Sequence, residues 1–244
     1  MSNHERFILT SITTEIKGAV SAISPLGSGI ETFPLNEYVM HSLFLKMTGF
    51  QEQKMKCIAW EMADADLEYR RCYLDSAKGF GEYSTYESKN KIFSSLIEII
   101  KKHIPSYEAD TALKDDIKKK TLDDMEILFD NSNLSVWDQR KYTYFKDNKE
   151  TIFISENFMV IGNKNNFLID NLLSIYKNEL YPQRNRAAHN LTSYQENLPS
   201  LLKLYNENDL SRNYFIFFAL LTLIDNIFIT LFKKFKEAIE ENDY

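Results

Sequence analysis

The chain has 244 residues, 44% of them hydrophobic, enough to bury one large core or two small ones. Glycine (7) and proline (5) are both scarce, which argues against a turn-rich all-β fold and for helices. A formal net charge of −6 excludes the bulk basic stripe of a protein that coats duplex nucleic acid, so any nucleic-acid contact is expected to be local and short.

The first residues, Met1 to Arg6, have no signal-peptide pattern. Two cysteines, Cys57 and Cys72, are expected on one helix about 22 Å apart at 1.5 Å per residue, beyond disulfide reach. A reducing cytoplasm is the expected location. No Cys/His cluster has zinc spacing, and there is no P-loop and no dinucleotide glycine fingerprint, so no cofactor is expected.

In chain order, Ile8, Ile12, Ile16, Val20 and Ile23 predict a helix over 7–24, broken at Pro25-Leu26-Gly27-Ser28-Gly29. Asn36 is read as the cap of a second helix running through Val39, Leu43 and Met47 to a stop at Gly49. A third helix is predicted from Gln51 to Asp75, with Met55, Ile58, Met62, Leu67 and Tyr73 on its apolar side. Lys78-Gly79-Phe80-Gly81 reads as a loop. Helices are predicted over Tyr86–Ile104, stopped by Pro105, and over Leu113–Phe129. In the latter, Lys118, Lys119 and Lys120 face Asp115, Asp116, Asp123 and Asp124, which predicts a solvated face with i, i+4 pairs.

Residues 130–165 read as a partly irregular arm inserted into a mainly α-helical bundle, with a β-prone run at Thr151-Ile152-Phe153-Ile154. The segment is too short for a core of its own, so residues 1–244 are expected to form one domain. Asn166 opens a helix carrying Leu168, Leu172, Ile175, Tyr176 and Leu180. Pro199 starts a short helix to Tyr205, and Ser211 or Asn213 caps a last helix to about Glu240. Its Tyr214–Phe232 stretch is close to membrane-spanning length. Asp225 and Asn226 in its middle argue for a buried helix with a polar stripe (Thr222, Asp225, Asn226, Thr230, Lys233) facing a cleft, and no membrane partner is expected.

The densest chemistry lies at Tyr181-Pro182-Gln183-Arg184-Asn185-Arg186-Ala187-Ala188-His189. Pro182 suits the first turn of a helix. In such a helix Asn185 and His189 share a face, Arg186 is three residues before His189, and Arg184 reaches the same space. Guanidiniums beside an imidazole at a helix start suit a phosphate, and the imidazole moves protons near neutral pH. The competing reading pairs Arg184 and Arg186 with Glu179 or Asp170 and leaves His189 a structural group.

Arg184, Asn185 and His189 have the form R-N-x-x-x-H, and here the chain resembles the HEPN superfamily of helical-bundle proteins. The resemblance is close in the motif and loose in the helical framework; the N-terminal third and the 130–165 segment have no counterpart in the minimal fold. It implies a metal-independent endoribonuclease with Arg184, Asn185 and His189 catalytic, attack by the RNA 2′-hydroxyl, and a homodimer that brings two Arg–His sets to one cleft. Gln183, Arg186, Asp225 and Asn226 are expected to contact substrate. Toxins and phage-defence effectors occur in this superfamily, as do non-catalytic interaction or antitoxin modules, so RNA and a regulatory or antitoxin partner protein are the expected partners. A small-ligand or nucleotide sensor is a third class.

Other candidates are weaker. Glu61, Asp64, Asp66 and Glu68 form a solvated face unless they hold a metal. Tyr69 and Arg70 suit base stacking or, more simply, partial burial and surface pairing. His41 and Trp60 are assigned to structure and core, and His103 to the end of a helix.

Overall fold

The structure, a computed structural model, describes residues 2–75, 83–189 and 213–240, without the side chains of Asp75 and His189. The predicted loop at 78–81, the predicted helix from Pro199 to Tyr205 and the alternative cap Ser211 lie outside these residues. The elements are α1 (Asn3–Leu9), α2 (Thr13–Ile23), α3 (Phe33–Ala65), α4 (Leu67–Asp75), α5 (Tyr86–His103), α6 (Thr111–Phe129), α7 (Asn133–Trp137) and α8 (Gln139–Ile152). A hairpin of β1 (Phe158–Val160) and β2 (Asn166–Leu168) follows, then α9 (Asp170–Ile175), a π-helical turn (Tyr176–Leu180), α10 (Tyr181–His189) and α11 (Tyr214–Glu240). The chain is a mainly α-helical bundle, as its composition predicts.

The bundle is wrapped around α11. Every residue from Asn213 to Phe228 is buried, because α3, α5, α6 and α8 cover the helix on all sides. An apolar helix with no wet face is a core helix or a membrane span. Among the described residues this one helix is long and apolar enough to cross a membrane, and 89% of its most apolar window is buried by the rest of the chain. Asn213 caps it, with Oδ1 accepting from the Ile216 N–H at 3.4 Å. Side-chain caps also start α5, where Thr85 Oγ1 accepts from Ser88 N–H, and α6, where Asp110 Oδ1 accepts from Leu113 N–H at 2.7 Å.

The polar stripe on α11 is turned inward. Lys54 Nζ on α3 lies 2.5 Å from Asp225 Oδ1, with both side chains fully buried. Lys54 also donates to Thr10 O at 2.7 Å, and Asp225 Oδ2 accepts from Ile12 N–H at 2.9 Å. This accounts for the split of the predicted 7–24 helix into α1 and α2: the backbone groups at Thr10 and Ile12 serve the ion pair rather than a helix. Burial pushes the Asp225 carboxyl up and the Lys54 ammonium down, and each charge opposes the shift of the other. Next to it on α11, Asn226 Nδ2 donates to Thr121 Oγ1 on α6 at 3.0 Å.

Three further expectations are corrected. Gly49 does not stop a helix: α3 runs through it because its core stripe of Met40, Leu43, Phe44, Met47, Gln51, Met55, Ile58 and Met62 is continuous against α11. The actual break is Asp66, whose extended backbone and Oδ1, accepting from Tyr69 N–H at 2.8 Å, start α4. Trp60 lies off the buried stripe and is 64% exposed, its ring set edge-on to His4. Cys57 and Cys72, on α3 and α4, are both free.

The 130–165 segment is more regular than its composition predicts. Tyr142, Phe145, Ile152, Phe153, Phe158 and Met159 are buried in the common core. Thr151 and Ile152 end α8 rather than form a strand. The strand pairing lies further on, with Phe158 opposite Leu168 and Val160 opposite Asn166. The hairpin docks on α5, where Asn90 Nδ2 donates to Asn165 O at 3.0 Å and the Tyr86 hydroxyl donates to Leu168 O at 2.8 Å.

Two stability outcomes follow from this packing. A Cβ built on exposed Gly49 meets nothing within 4 Å, so Gly49→Ala is expected to stabilise the protein by about 1 kcal/mol in denaturant unfolding. Lys54→Met or Asp225→Asn alone strands a buried group and is expected to cost about 3–5 kcal/mol, whereas the double change Lys54→Met with Asp225→Leu recovers most of that loss.

Candidate functional site

The Arg184–His189 motif is helical, but it does not open a new helix. α9, the π turn and α10 run on without a break, and Pro182 sits just past the π turn. Proline has no N–H to give and its ring crowds the preceding turn. The chain widens there: Tyr181 N–H bonds to Tyr176 O, five residues back, before the α pattern resumes. The continuous chain removes the free helix N-terminus that the proline suggested, so anion binding here has to rest on side chains.

Arg184 is half-buried against α3. Its Nη2 lies 3.8 Å from Glu52 Oε2, and its Nη1 donates to Asn185 Oδ1 at 3.2 Å. Glu52 Oε1 is held in turn by Lys56 Nζ at 3.2 Å, so the carboxylate is divided between two cations. Gln183 is buried and donates to the Tyr214 hydroxyl at 2.9 Å, while its Oε1 accepts from Arg186 Nε at 3.0 Å. Tyr214 packs edge-on against His41. Gln183 and Arg186 therefore belong to a hydrogen-bonded chain that ties α10 to the start of α11. His189 is the last residue of α10, about 140° around the helix axis from Arg184 at 100° per residue; its side chain is outside the described residues.

Asp225 and Asn226 do not join this group. Their hydrogen bonds go to Lys54, Ile12 and Thr121 inside the bundle, which corrects the expectation that they face substrate. A polar stripe on a buried helix is satisfied by its neighbours as readily as by a cleft.

The structure adds a group that the sequence reading passed over. Lys89 on α5 is 3% exposed, and its Nζ donates to Tyr176 O–H at 2.7 Å and to Ser84 O at 3.1 Å. The Tyr176 hydroxyl donates to the same Ser84 carbonyl at 2.9 Å. Lys89, Tyr176, Ser84 and Arg184 line one void of about 10 Å³, closed by Thr48, Leu180, Tyr181 and Leu221. Burial pulls the Lys89 ammonium down to about 7; the Arg184 charge adds to this and Glu52 opposes it. Burial likewise pushes the Tyr176 phenol up. The signal was present in the sequence: Lys89 occupies a position on the apolar stripe Tyr86, Phe93, Leu96 and Ile100, where a charge is expensive.

The acidic residues of α3 and α4 are engaged on the surface. Lys102 reaches Asp66 at 2.9 Å and Glu68 at 3.0 Å, and Arg70 donates to Ala63 O at 2.6 Å. Among the described residues, no group of three or more His, Cys, Asp or Glu side chains is placed to hold a metal ion. Tyr69 stacks on Tyr73 rather than standing free.

No protein-family model, no curated protein and no solved structure matches the chain.

The buried lysine sets a pH dependence. Its folded value of about 7 lies below the 10.5 of a free lysine, so between these limits the unfolded chain binds more protons. Stability is therefore expected to rise as pH rises from about 7 towards 10.5, and to sit at its lower level below 7. Urea unfolding across this window should show the slope in the native protein and a flatter profile in Lys89→Met.

Proposed function

We propose that the protein is a metal-independent endoribonuclease of the HEPN type, acting as a homodimer. The observation that carries the reading is one helix, α10, bearing Arg184, Asn185 and His189 in R-N-x-x-x-H order within a mainly α-helical bundle, with the Asn185 carboxamide already bonded to the Arg184 guanidinium. Arg184 keeps a 26% exposed side chain, enough to reach a phosphodiester while the protein fixes its base.

In this chemistry the RNA 2′-oxygen forms a bond to the adjacent phosphorus and the bond from phosphorus to the 5′-oxygen breaks. The products are a 2′,3′-cyclic phosphate and a 5′-hydroxyl. One imidazole takes the proton of the 2′-hydroxyl and another gives a proton to the departing 5′-oxygen, so His189 and its copy in a second subunit divide the work. Arg184 stabilises the charge on the five-coordinate phosphorus, and Asn185 holds Arg184 in place. Gln183 and Arg186 support the helix rather than the RNA. The substrate is a short single-stranded RNA or loop, in keeping with the net charge of −6. Such an activity fits a conditional toxin or phage-defence effector working in the cytoplasm under the control of a partner protein.

The alternative is a non-catalytic interaction module. It is favoured by the bonds of Gln183 to Tyr214 and of Arg186 to Gln183, which give two polar residues in and beside the motif a structural role.

The readings separate in a cleavage assay with EDTA. RNA cleavage by the native protein is expected, with cyclic phosphate ends. His189→Ala should bring it to background and Arg184→Ala should lower it about 10²–10³-fold, with helicity and oligomeric state unchanged. Cleavage that survives His189→Ala, or that requires a divalent metal, overturns the mechanism.

A further inference from the structure

We propose that Lys89 is a proton-linked positioning residue for Arg184: binding of a phosphodiester anion at Arg184 draws a proton onto the buried Lys89 amine. The inference rests on the reading of Arg184 as the anion-binding group.

Lys89 Nζ has two acceptors, Ser84 O and the Tyr176 hydroxyl. A neutral amine has two N–H donors and fills both; an ammonium has a third, which among the described residues meets no further hydrogen-bond acceptor, only the Tyr176 ring 5.3 Å from Nζ. The charges around it give the same result. On α3, Glu52 favours a charge on Lys89, but it also faces Arg184 and Lys56, whose charges offset much of its own, and none of the ion pairs among the described residues joins it to Lys89. On α10, Arg184 lines the same void and repels a proton on Lys89, and Tyr181 closes it. On the π turn, Tyr176 is a neutral phenol, as a tyrosine is at neutral pH, and burial pushes its pKa further up. On α5 itself, Glu87 is engaged by Lys177 at 2.5 Å. From α11 the void is met by Leu221, which carries no charge.

An anion at Arg184 reverses this balance. It offsets the guanidinium charge across the void, and it competes with Glu52 for a contact that at 3.8 Å is already loose. Released from Arg184, Glu52 Oε2 becomes available to balance a charge on Lys89. Both effects favour the ammonium, and by linkage the proton on Lys89 then strengthens anion binding. Lys89 does not touch the anion; it sets the potential and the tether of the arginine that does.

The test is calorimetric titration of the full chain at pH 8.5 in two buffers of different ionisation enthalpy, where imidazoles contribute little. The His189→Ala variant is used so that RNA is not cut, and two probes are compared: a short single-stranded RNA, and sulfate, which does not itself titrate. Uptake of a fraction of one proton per bound anion is expected, and it should disappear in His189→Ala with Lys89→Met. If that double variant does not fold, the pH dependence of affinity in His189→Ala decides: binding should weaken as pH rises from 7 to 9. Binding of RNA without proton uptake, or with uptake that Lys89→Met leaves unchanged, overturns the inference but not the RNA reading. Lys89-dependent uptake with sulfate and no binding of RNA overturns the RNA reading and upholds the inference. Failure of both probes to bind overturns both.

Discussion

Everything in this bundle is arranged around one buried ion pair. Lys54 and Asp225 meet where no water reaches, and their remaining capacity is taken by the backbone at Thr10 and Ile12. Three segments distant in sequence are thereby locked together: the long helix α3, the central helix α11 and the junction of α1 with α2. A charge pair in such a place adds little net stability over well-packed apolar residues, but a shifted register would leave a charge stranded. Just before it on α3, Gln51 donates to Leu221 O at 2.6 Å, a second polar tie between the same helices. The two together fix how α3 slides along α11.

That register carries through to the candidate site. Arg184 leans on Glu52, which lies between Gln51 and Lys54 in sequence. The void beside Arg184 is walled by Thr48 of α3 and Leu221 of α11. The position of the arginine therefore derives from the core ion pair through α3. The opposite wall comes from α5, which packs on α11 and is also tied to the hairpin through Tyr86 and Asn90. The candidate site sits between these walls, where Lys89 and Tyr176 line the void.

Sequence pattern located much of this and misjudged a definite part. Helices α5, α6 and α11 were legible to within a few residues, because Pro105 and the alternative caps Ser211 and Asn213 mark ends chemically and the apolar spacing within each is long. Gly49 and Pro182 misled for the same reason: a local breaker was outvoted by packing, once by a continuous core stripe and once by a π turn that absorbs the proline. Arg184 and Asn185 were legible as a pair because they are adjacent on one helix. Asp225 and Asn226 were legible as important but not as to what they face, since inward pairing and a cleft leave the same polar stripe. Lys54 and Lys89 were the missed signals, two lysines sitting in register with core positions, and both proved to be buried.

The π turn at Tyr176–Leu180 has a consequence of its own. It amounts to one residue inserted into an otherwise regular helix running from Asp170 to His189. Excising that residue restores the α pattern and turns everything downstream by about 100°. Gln183 would leave Tyr214, Arg184 would leave Glu52 and the void, and the motif would present another side to the bundle, all without altering a residue in it. A lineage that gained or lost this residue would switch the site on or off by indel rather than by substitution, and an alignment that scored only the motif letters would not register the change.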